Sequence, residues 1–185
     1  MIGSASSLAF DVVWASERAS GTAAEVTRGS LCAFLAGDPI WGPDGRGFSW
    51  TWIELLEHLA ACWQWIELEE IDPLGLGIPP ERLRAEALRR WEVSPSSQRD
   101  EEEDLLWAFE QRHNLASGIH GAWLPDLWLL RSGDEFRISS ANREVWRSAN
   151  EVLSTLNDLG EQIASRLATC NDERANHARL AWHGR

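Results

Sequence analysis

Strand-like and helix-like patterns occupy separate parts of this sequence, and that separation constrains the fold more than any other feature. In LAFDVVWA, residues 8–15, apolar side chains alternate with others, which is typical of a half-buried strand. Four of them share one face: Leu8, Phe10, Val12 and Trp14. The segment SLCAFLAGDPIW, residues 30–41, repeats this pattern as two short strands, with a predicted turn at Gly37-Asp38-Pro39.

Three helices are predicted next. Thr51 to Glu54, TWIE, has the form of a capping box, in which the threonine hydroxyl and the glutamate satisfy free amides of the first turn. Pro80 suits the first turn of a second helix. Ser97, followed by a run of acidic residues, predicts the start of a third helix that ends near Asn114.

The segment from residue 127 onward predicts a hairpin and then the longest helix. LWLLR and EFRIS flank a turn at Ser132-Gly133-Asp134. A second capping box, Ser148 to Glu151, opens the helix, and Asn171 or Asp172 ends it. Its predicted buried stripe is Val152, Leu156, Leu159, Ile163 and Leu167.

These patterns together predict an α+β fold, with an antiparallel sheet of hairpins packed against four to five helices. A chain of 185 residues is long enough to bury a core of its own. We therefore expect a single domain over residues 1–185, with a short C-terminal helix at 172–183 that could lie at its periphery.

Composition excludes several classes of function. The net charge of −12 argues against binding to nucleic acid, although all 17 basic residues are arginine. No apolar run approaches the ~20 residues that span a bilayer, and the N-terminus lacks the pattern of a secretory signal. Three widely spaced cysteines argue against a disulfide framework. We expect a cytoplasmic protein.

The histidines of the segment at residues 112–136 suggest a metal site. Glu110 and His113 have helical i, i+3 spacing, and His120 could complete a zinc-binding set for a small metal-dependent hydrolase. The alternative is a structural corner, in which Gly118 and Gly121 end the helix and the histidines have no chemical role. The corner is the interpretation we favour.

Other candidates for catalysis are weaker. Glu54, Glu57 and His58 could act as acid and base, but the pattern equally fits the exposed face of a helix. The sequence contains no nucleophile elbow and no phosphate-binding loop with its lysine. We assign no catalytic residue, expect no cofactor, and leave enzymatic activity uncertain, leaning against it.

Aromatic residues around a glycine-rich loop indicate an interaction surface instead. WGPDGRGFSWTW places Trp41, Phe48, Trp50 and Trp52 around residues 42–47. Aromatic and arginine side chains dominate the energetics of protein interfaces. The alternative for any one of these tryptophans is packing in the core.

The segments AFEQRHNLASGIHGAWLPDLWLLRSGDEFRI and FSWTWIELLEHLAACWQWIELEE resemble a region found at the N-terminus of longer bacterial proteins. Those proteins carry an ImmA/IrrE-type metallopeptidase domain behind it and are associated with mobile elements and with stress or defence responses. The H-E-x-x-H motif of the peptidase is absent here, since Leu59 and Ala60 follow His58. The resemblance therefore implies an accessory module without catalytic residues.

The leading hypothesis is a non-enzymatic regulatory module that binds another protein or a C-terminal domain of a longer chain. The alternative is the hydrolase that uses Glu110, His113 and His120. The sequence does not identify the partner or the oligomeric state.

Overall fold

The computed structural model describes residues 1–15, 27–42, 48–68, 78, 80–93, 96–119 and 124–185. The side chains of residues 48–50, 80–81 and 96–98 lie outside that description. Within it, antiparallel strands and helices occupy separate stretches of the chain, so the predicted α+β class is confirmed. The strands form two sheets, where the sequence suggested one.

The first sheet is antiparallel and is centred on β3. Its strands are β1 (Ile2–Gly3), β2 (Leu8–Trp14), β3 (Arg28–Leu35), β4 (Asp38–Trp41) and β5 (Phe48–Thr51). β1 pairs with β2, and β2 pairs with one edge of β3. β4 and β5 pair with successive halves of the other edge. The predicted strands at the start of the chain are therefore present.

The β3–β4 hairpin turns one residue earlier than the sequence predicts. Ala36 and Gly37 form the two-residue turn, with φ angles of 54° and 89°, while Asp38 and Pro39 already belong to β4. A two-residue turn with positive φ matches the twist of the flanking strands, which explains the shift. Pro39 is tolerated in β4 because this strand lies at an edge of the sheet.

The second sheet contains β6 (Trp128–Ser132), β7 (Glu135–Ser140) and β8 (Arg143–Ser148), in that order. The β6–β7 turn is Gly133-Asp134, with a φ of 60° at the glycine, whereas Ser132, which we included in the predicted turn, belongs to β6. The β7–β8 turn is Ala141-Asn142, and Ala141 has a φ of 51° without being a glycine. This sheet is a meander of three strands joined by two tight turns.

The sequence analysis missed β8. This strand of six residues, REVWRS, carries three charged side chains and shows little alternation of polarity. Most of its residues are exposed because it is the edge strand of its sheet. Apolar and polar residues alternate along a strand when one of its faces is buried. A strand with few buried side chains therefore shows only weak alternation.

The helices are α1 (Trp52–Leu68), α2 (Pro80–Trp91), α3 (Ser96–His113), α4 (Ala149–Leu167) and α5 (Glu173–His183). A 3₁₀ turn, Leu115–Gly118, follows α3. The Ser148 hydroxyl caps α4 by accepting from the Glu151 amide, and the Asp172 carboxylate caps α5 by accepting from the Ala175 amide. None of the described helices has both the length and the apolar character needed to cross a bilayer.

α4 joins the two sheets. It packs on β1 and β2 of the first sheet and on β7 and β8 of the second, as well as on α1 and α5. Its predicted stripe is confirmed, because all five side chains are almost completely buried: Val152, Leu156, Leu159, Ile163 and Leu167. One helix face therefore serves as the centre of the main core.

The C-terminal helix α5 belongs to this core and is not peripheral. Trp182 is fully buried, and Ala175 and Ala178 are buried beside it against α1 and α4. The Trp182 ring lies so close to Gly160 of α4 that a Cβ at residue 160 would overlap it. The indole nitrogen donates to Glu161 Oε1 at 2.8 Å. This close fit holds the end of the chain in place.

A smaller core lies on the other face of the second sheet. Leu129, Phe136 and Ile138 face the main core, whereas Trp128 and Leu130 point to the opposite side. There they meet one face of α2 and α3, composed of Leu83, Ala87, Trp91, Leu106 and Phe109. The second sheet thus has apolar packing on both faces at β6.

Candidate functional site

The segment after α3 is a structural corner organised by Asn114. The side-chain oxygen of Asn114 accepts from the amides of Ala116, at 3.1 Å, and Leu127, at 3.0 Å. Its side-chain nitrogen donates to Asp126 Oδ1 at 2.8 Å. One buried amide group thereby connects the end of α3 to the start of β6, as expected for a corner.

Gly118 has a different role from the one predicted. Among the described glycines, those with positive φ are Gly3, Gly37, Gly42 and Gly133, and Gly118 is not one of them. Instead, a Cβ on Gly118 would overlap the His58 ring of α1. The glycine therefore permits close contact between the corner and α1. Gly121, which we also assigned to the turn, lies outside the described residues.

Two of the three candidate metal ligands, Glu110 and His113, each have a structural partner. Glu110 accepts a two-pronged hydrogen bond from Arg84 of α2, including one from Nε at 2.9 Å. His113 is buried, and its Nδ1 lies 3.1 Å from the carbonyl oxygen of Leu129. Because a carbonyl can only accept, Nδ1 must carry the proton in this bond.

His120, the third candidate ligand, lies outside the described residues. In the part of the chain that the structure describes, no three His, Cys, Asp or Glu side chains come close enough to hold a metal ion. The contacts of Glu110 and His113 are those of structural residues that connect α3 to α2 and β6.

The exposed face of α1 is an ion-pair network. Arg174 of α5 donates from Nε and Nη2 to the two carboxylate oxygens of Glu57, at 3.2 and 2.8 Å. A third nitrogen of the same guanidinium lies 3.7 Å from Glu54. The two carboxylates considered for acid–base chemistry therefore share one cation, and the arrangement connects α1 to α5.

His58 and Cys62 lie side by side on α1. The Cys62 sulfur is 3.8 Å from both ring nitrogens of His58 and donates to the Gln111 carbonyl oxygen at 3.4 Å. Burial raises the pKa of the Cys62 thiol to about 11, against a smaller opposing effect of the Arg112 charge. A nucleophilic cysteine needs a lowered pKa, whereas burial opposes ionisation of this thiol.

Two of the four predicted interaction residues lie in the core. Trp41 and Trp52 are fully buried, and the Trp41 nitrogen donates to the Pro125 carbonyl oxygen at 2.7 Å. The Trp52 ring lies 5.0 Å from that of Trp14. Neither offers surface to a partner. Phe48 and Trp50 lie in β5, and their side chains are outside the description.

The structure exposes other tryptophans, which the sequence analysis did not single out. Trp65, Trp107 and Trp146 are 37%, 59% and 45% exposed. The Arg112 guanidinium covers the Trp65 ring at 4.6 Å. Trp107 stands on the outer side of α3, and Trp146 lies on β8. The indole nitrogen of Trp146 donates to Glu144 on the same strand.

We call Arg137, Glu144 and Trp146 the β8 face. Arg137 Nε donates to Glu144 Oε2 at 2.6 Å, and the Trp146 indole donates to Glu144 Oε1 at 3.2 Å. The hydrogen bond from Arg137 is the main reason that the pKa of Glu144 lies below its ordinary value. Register places Trp146 directly opposite Arg137. These bonds hold an exposed indole and a guanidinium side by side.

The β8 face continues the sheet surface that carries the smaller core. Trp128 of β6 lies opposite Ser139, and Ser139 lies opposite Glu144. Helices α2 and α3 cover the β6 part of this surface, whereas Glu144 and Trp146 at its β8 end are exposed. The outer surface of the second sheet is thus half covered within the described residues.

Comparison with known proteins returns no match: no family model, no curated protein and no solved structure is similar to this chain.

Proposed function

We propose that this chain is a non-enzymatic regulatory module of the bacterial cytoplasm and that it acts by binding another protein or a further domain of a longer chain. The observation that carries the proposal is the β8 face, where Trp146 is 45% exposed and donates to Glu144, which also accepts from the largely buried Arg137. Tryptophan and arginine are the residues most enriched among interface hot spots. Rigid side chains also lose less entropy when a partner binds.

The chemistry of β8 favours contact through side chains over the addition of a strand. The edge strand carries Arg143, Glu144 and Arg147, and charged residues on an edge oppose pairing with another strand. The net charge of −12 favours a protein partner over nucleic acid. The resemblance to regions that precede ImmA/IrrE-type metallopeptidases suggests a domain of that family as the partner.

Calorimetric titration with the metallopeptidase domain of an ImmA/IrrE-type protein tests the proposal. We expect a complex that Trp146→Ala weakens by tenfold or more, since a hot spot contributes about 2 kcal/mol or above. Trp107→Ala is the matched control, because Trp107 is also exposed, at 59% against 45% for Trp146, but lies on α3. Absence of a complex, or equal losses in both variants, would contradict this assignment.

A further inference from the structure

The guanidinium group of Arg185 lies on two tryptophan rings, one from α1 and one from α5. Its central carbon is 3.2 Å from the centre of the Trp182 ring and 4.5 Å from that of the Trp63 ring. The two rings are nearly perpendicular, at 85°, and their centres are 5.4 Å apart. A cation within about 6 Å of the face of an indole is attracted by the charge distribution of the ring. Both rings therefore contribute to one cation site.

Two hydrogen-bond acceptors lie beside the rings. Arg185 donates from Nη1 to the Trp182 carbonyl oxygen and from Nη2 to the side-chain oxygen of Asn157 on α4. A guanidinium presents several N–H donors in one plane and also stacks on aromatic faces, whereas a lysine ammonium is a compact point charge. The set thus matches a guanidinium in both stacking and hydrogen bonding. We call Trp63, Trp182 and Asn157 the guanidinium site.

The attachment of Arg185 to this site is weak. The residue follows Gly184, the C-cap of α5, so it lies beyond the end of the helix, and it is exposed. The acceptors of its hydrogen bonds, a carbonyl and an amide oxygen, are neutral. Burial lowers the pKa of its guanidinium, and the charges of Glu161 and Glu67 offset only part of that effect. Because water replaces neutral acceptors at a modest net cost, Arg185 can leave the site.

From this arrangement we propose that the guanidinium site binds a guanidinium group of another molecule, and that Arg185 occupies it in the absence of that ligand. Departure of Arg185 would uncover the face of the Trp182 ring, which is now fully buried. Because Arg185 is tethered beside the site, it competes with the ligand at a high effective concentration. The site belongs to α1, α4 and α5 and does not depend on the interaction proposed for the β8 face.

Calorimetry with Arg185→Ala and N-acetyl-L-arginine amide, which resembles an arginine within a peptide, tests the proposal. We expect saturable binding about tenfold tighter than in wild type, where Arg185 fills the site about nine-tenths of the time. N-acetyl-L-citrulline amide has the same shape without the charge and should bind at least about tenfold more weakly. Free L-arginine distinguishes the source of the ligand. If it binds more tightly than the amide, the ligand is a small molecule; otherwise it is an arginine of a protein.

Further variants locate the binding. In the Arg185→Ala background, Trp63→Leu should weaken the arginine amide by about tenfold, because it removes one ring face but keeps an apolar side chain against the core. Trp65→Leu is the matched control, since Trp65 lies on the same helix and contacts Arg112 instead. Thermal melting provides a second measurement, because a ligand that binds the folded state should recover stability lost in Arg185→Ala.

Several results would overturn the proposal. They are absence of binding to Arg185→Ala, equal affinity of Arg185→Ala and wild type, equal binding of the citrulline amide, and equal losses in Trp63→Leu and Trp65→Leu. A fall in the melting temperature of Arg185→Ala that the arginine amide does not recover would show that Arg185 only caps the end of α5.

Discussion

Gly160 of α4 lies directly against the indole ring of Trp182 in α5, with no room for a Cβ between them. At an exposed helix position, alanine is more favourable than glycine by about 1 kcal/mol. Here that preference is outweighed, because the added methyl group would displace a fully buried tryptophan.

We therefore predict that Gly160→Ala destabilises the protein by roughly 1–3 kcal/mol, the usual cost of overpacking a core. Denaturant unfolding measures it. Combining Gly160→Ala with Trp182→Leu should cost less than the sum of the single changes, since the two residues are in contact. Additive losses would show that the α4–α5 contact is not as described.

Removal of the N-cap of α4 should be measurable. Ser148→Ala deletes the hydroxyl that accepts from the Glu151 amide, and we expect a loss of about 1 kcal/mol in the free energy of unfolding. Ser154→Ala, an exposed serine in the middle of the same helix, is the control and should be neutral or slightly stabilising. Similar losses of unfolding free energy in the two variants would contradict the assignment of Ser148 as the N-cap.

Asn114 should be the most sensitive polar residue of the corner. Asn114→Ala removes the oxygen that accepts from the amides of Ala116 and Leu127. Each buried group left unsatisfied costs about 1–3 kcal/mol. Asn114→Asp keeps the acceptor but loses the donor to Asp126 and places two carboxylates together. At low pH the melting temperature of Asn114→Asp should lie between those of wild type and Asn114→Ala. At neutral pH it should be close to that of Asn114→Ala. An unaffected alanine variant would contradict the corner.

The turn between β7 and β8 offers a stabilising change. Ala141 has a φ of 51°, a conformation that side chains with a Cβ adopt at a cost of about 1–2 kcal/mol. Ala141→Gly removes that cost but increases the entropy of the unfolded chain, so we expect a net gain of up to about 1 kcal/mol. Ala141→Val should destabilise. Thermal melting compares both with wild type, and a valine variant as stable as glycine would argue against the positive φ.

Ionisation of the Cys62 thiol should make the stability of the folded protein depend on pH under alkaline conditions. Burial raises its pKa from an ordinary 9.0 to about 11 in the folded protein. The folded state therefore holds the proton more tightly than the unfolded state. Its contribution to stability is full below pH 9 and is lost as the pH rises to 11. At about 1.4 kcal/mol per pKa unit, the loss is on the order of 2–3 kcal/mol.

Stability of wild type and Cys62→Ala, measured by urea unfolding from pH 8 to 10.5, tests this prediction. The alanine variant should lose less stability over that range, because it has no thiol to ionise. Parallel pH profiles would show that the thiol ionises alike in the folded and unfolded states.

Local patterns predicted the parts of the fold that depend on neighbours in the sequence. The stripe from Val152 to Leu167 and the cap at Ser148 follow from helical spacing, and both are confirmed. Contacts across the chain were not accessible in this way. Nothing in the spacing of Glu110 and His113 shows that Arg84, 26 residues away, binds the glutamate. The metal hypothesis lacked that information.

The prediction of the interaction surface shows the same limit. A cluster of aromatic residues in sequence does not distinguish core from surface, and Trp41 and Trp52 are in the core. Trp146 became a candidate only once β8 was known, because its exposure follows from the face of an edge strand. The sequence feature that could have indicated this exposed edge strand is the charged segment REVWRS, which follows the Ala141-Asn142 turn.

The central position of α4 has a consequence for synthesis of the chain. β1 and β2 lie within the first 14 residues, whereas the helix that covers them begins at Ala149. The ribosome therefore makes the apolar side of the first sheet well before it makes the helix that covers it. Contacts between such distant segments form slowly, and apolar strands exposed in the interval are prone to aggregate. We therefore expect the yield of folded protein to depend on ribosome-associated chaperones more strongly than on the free energy of unfolding.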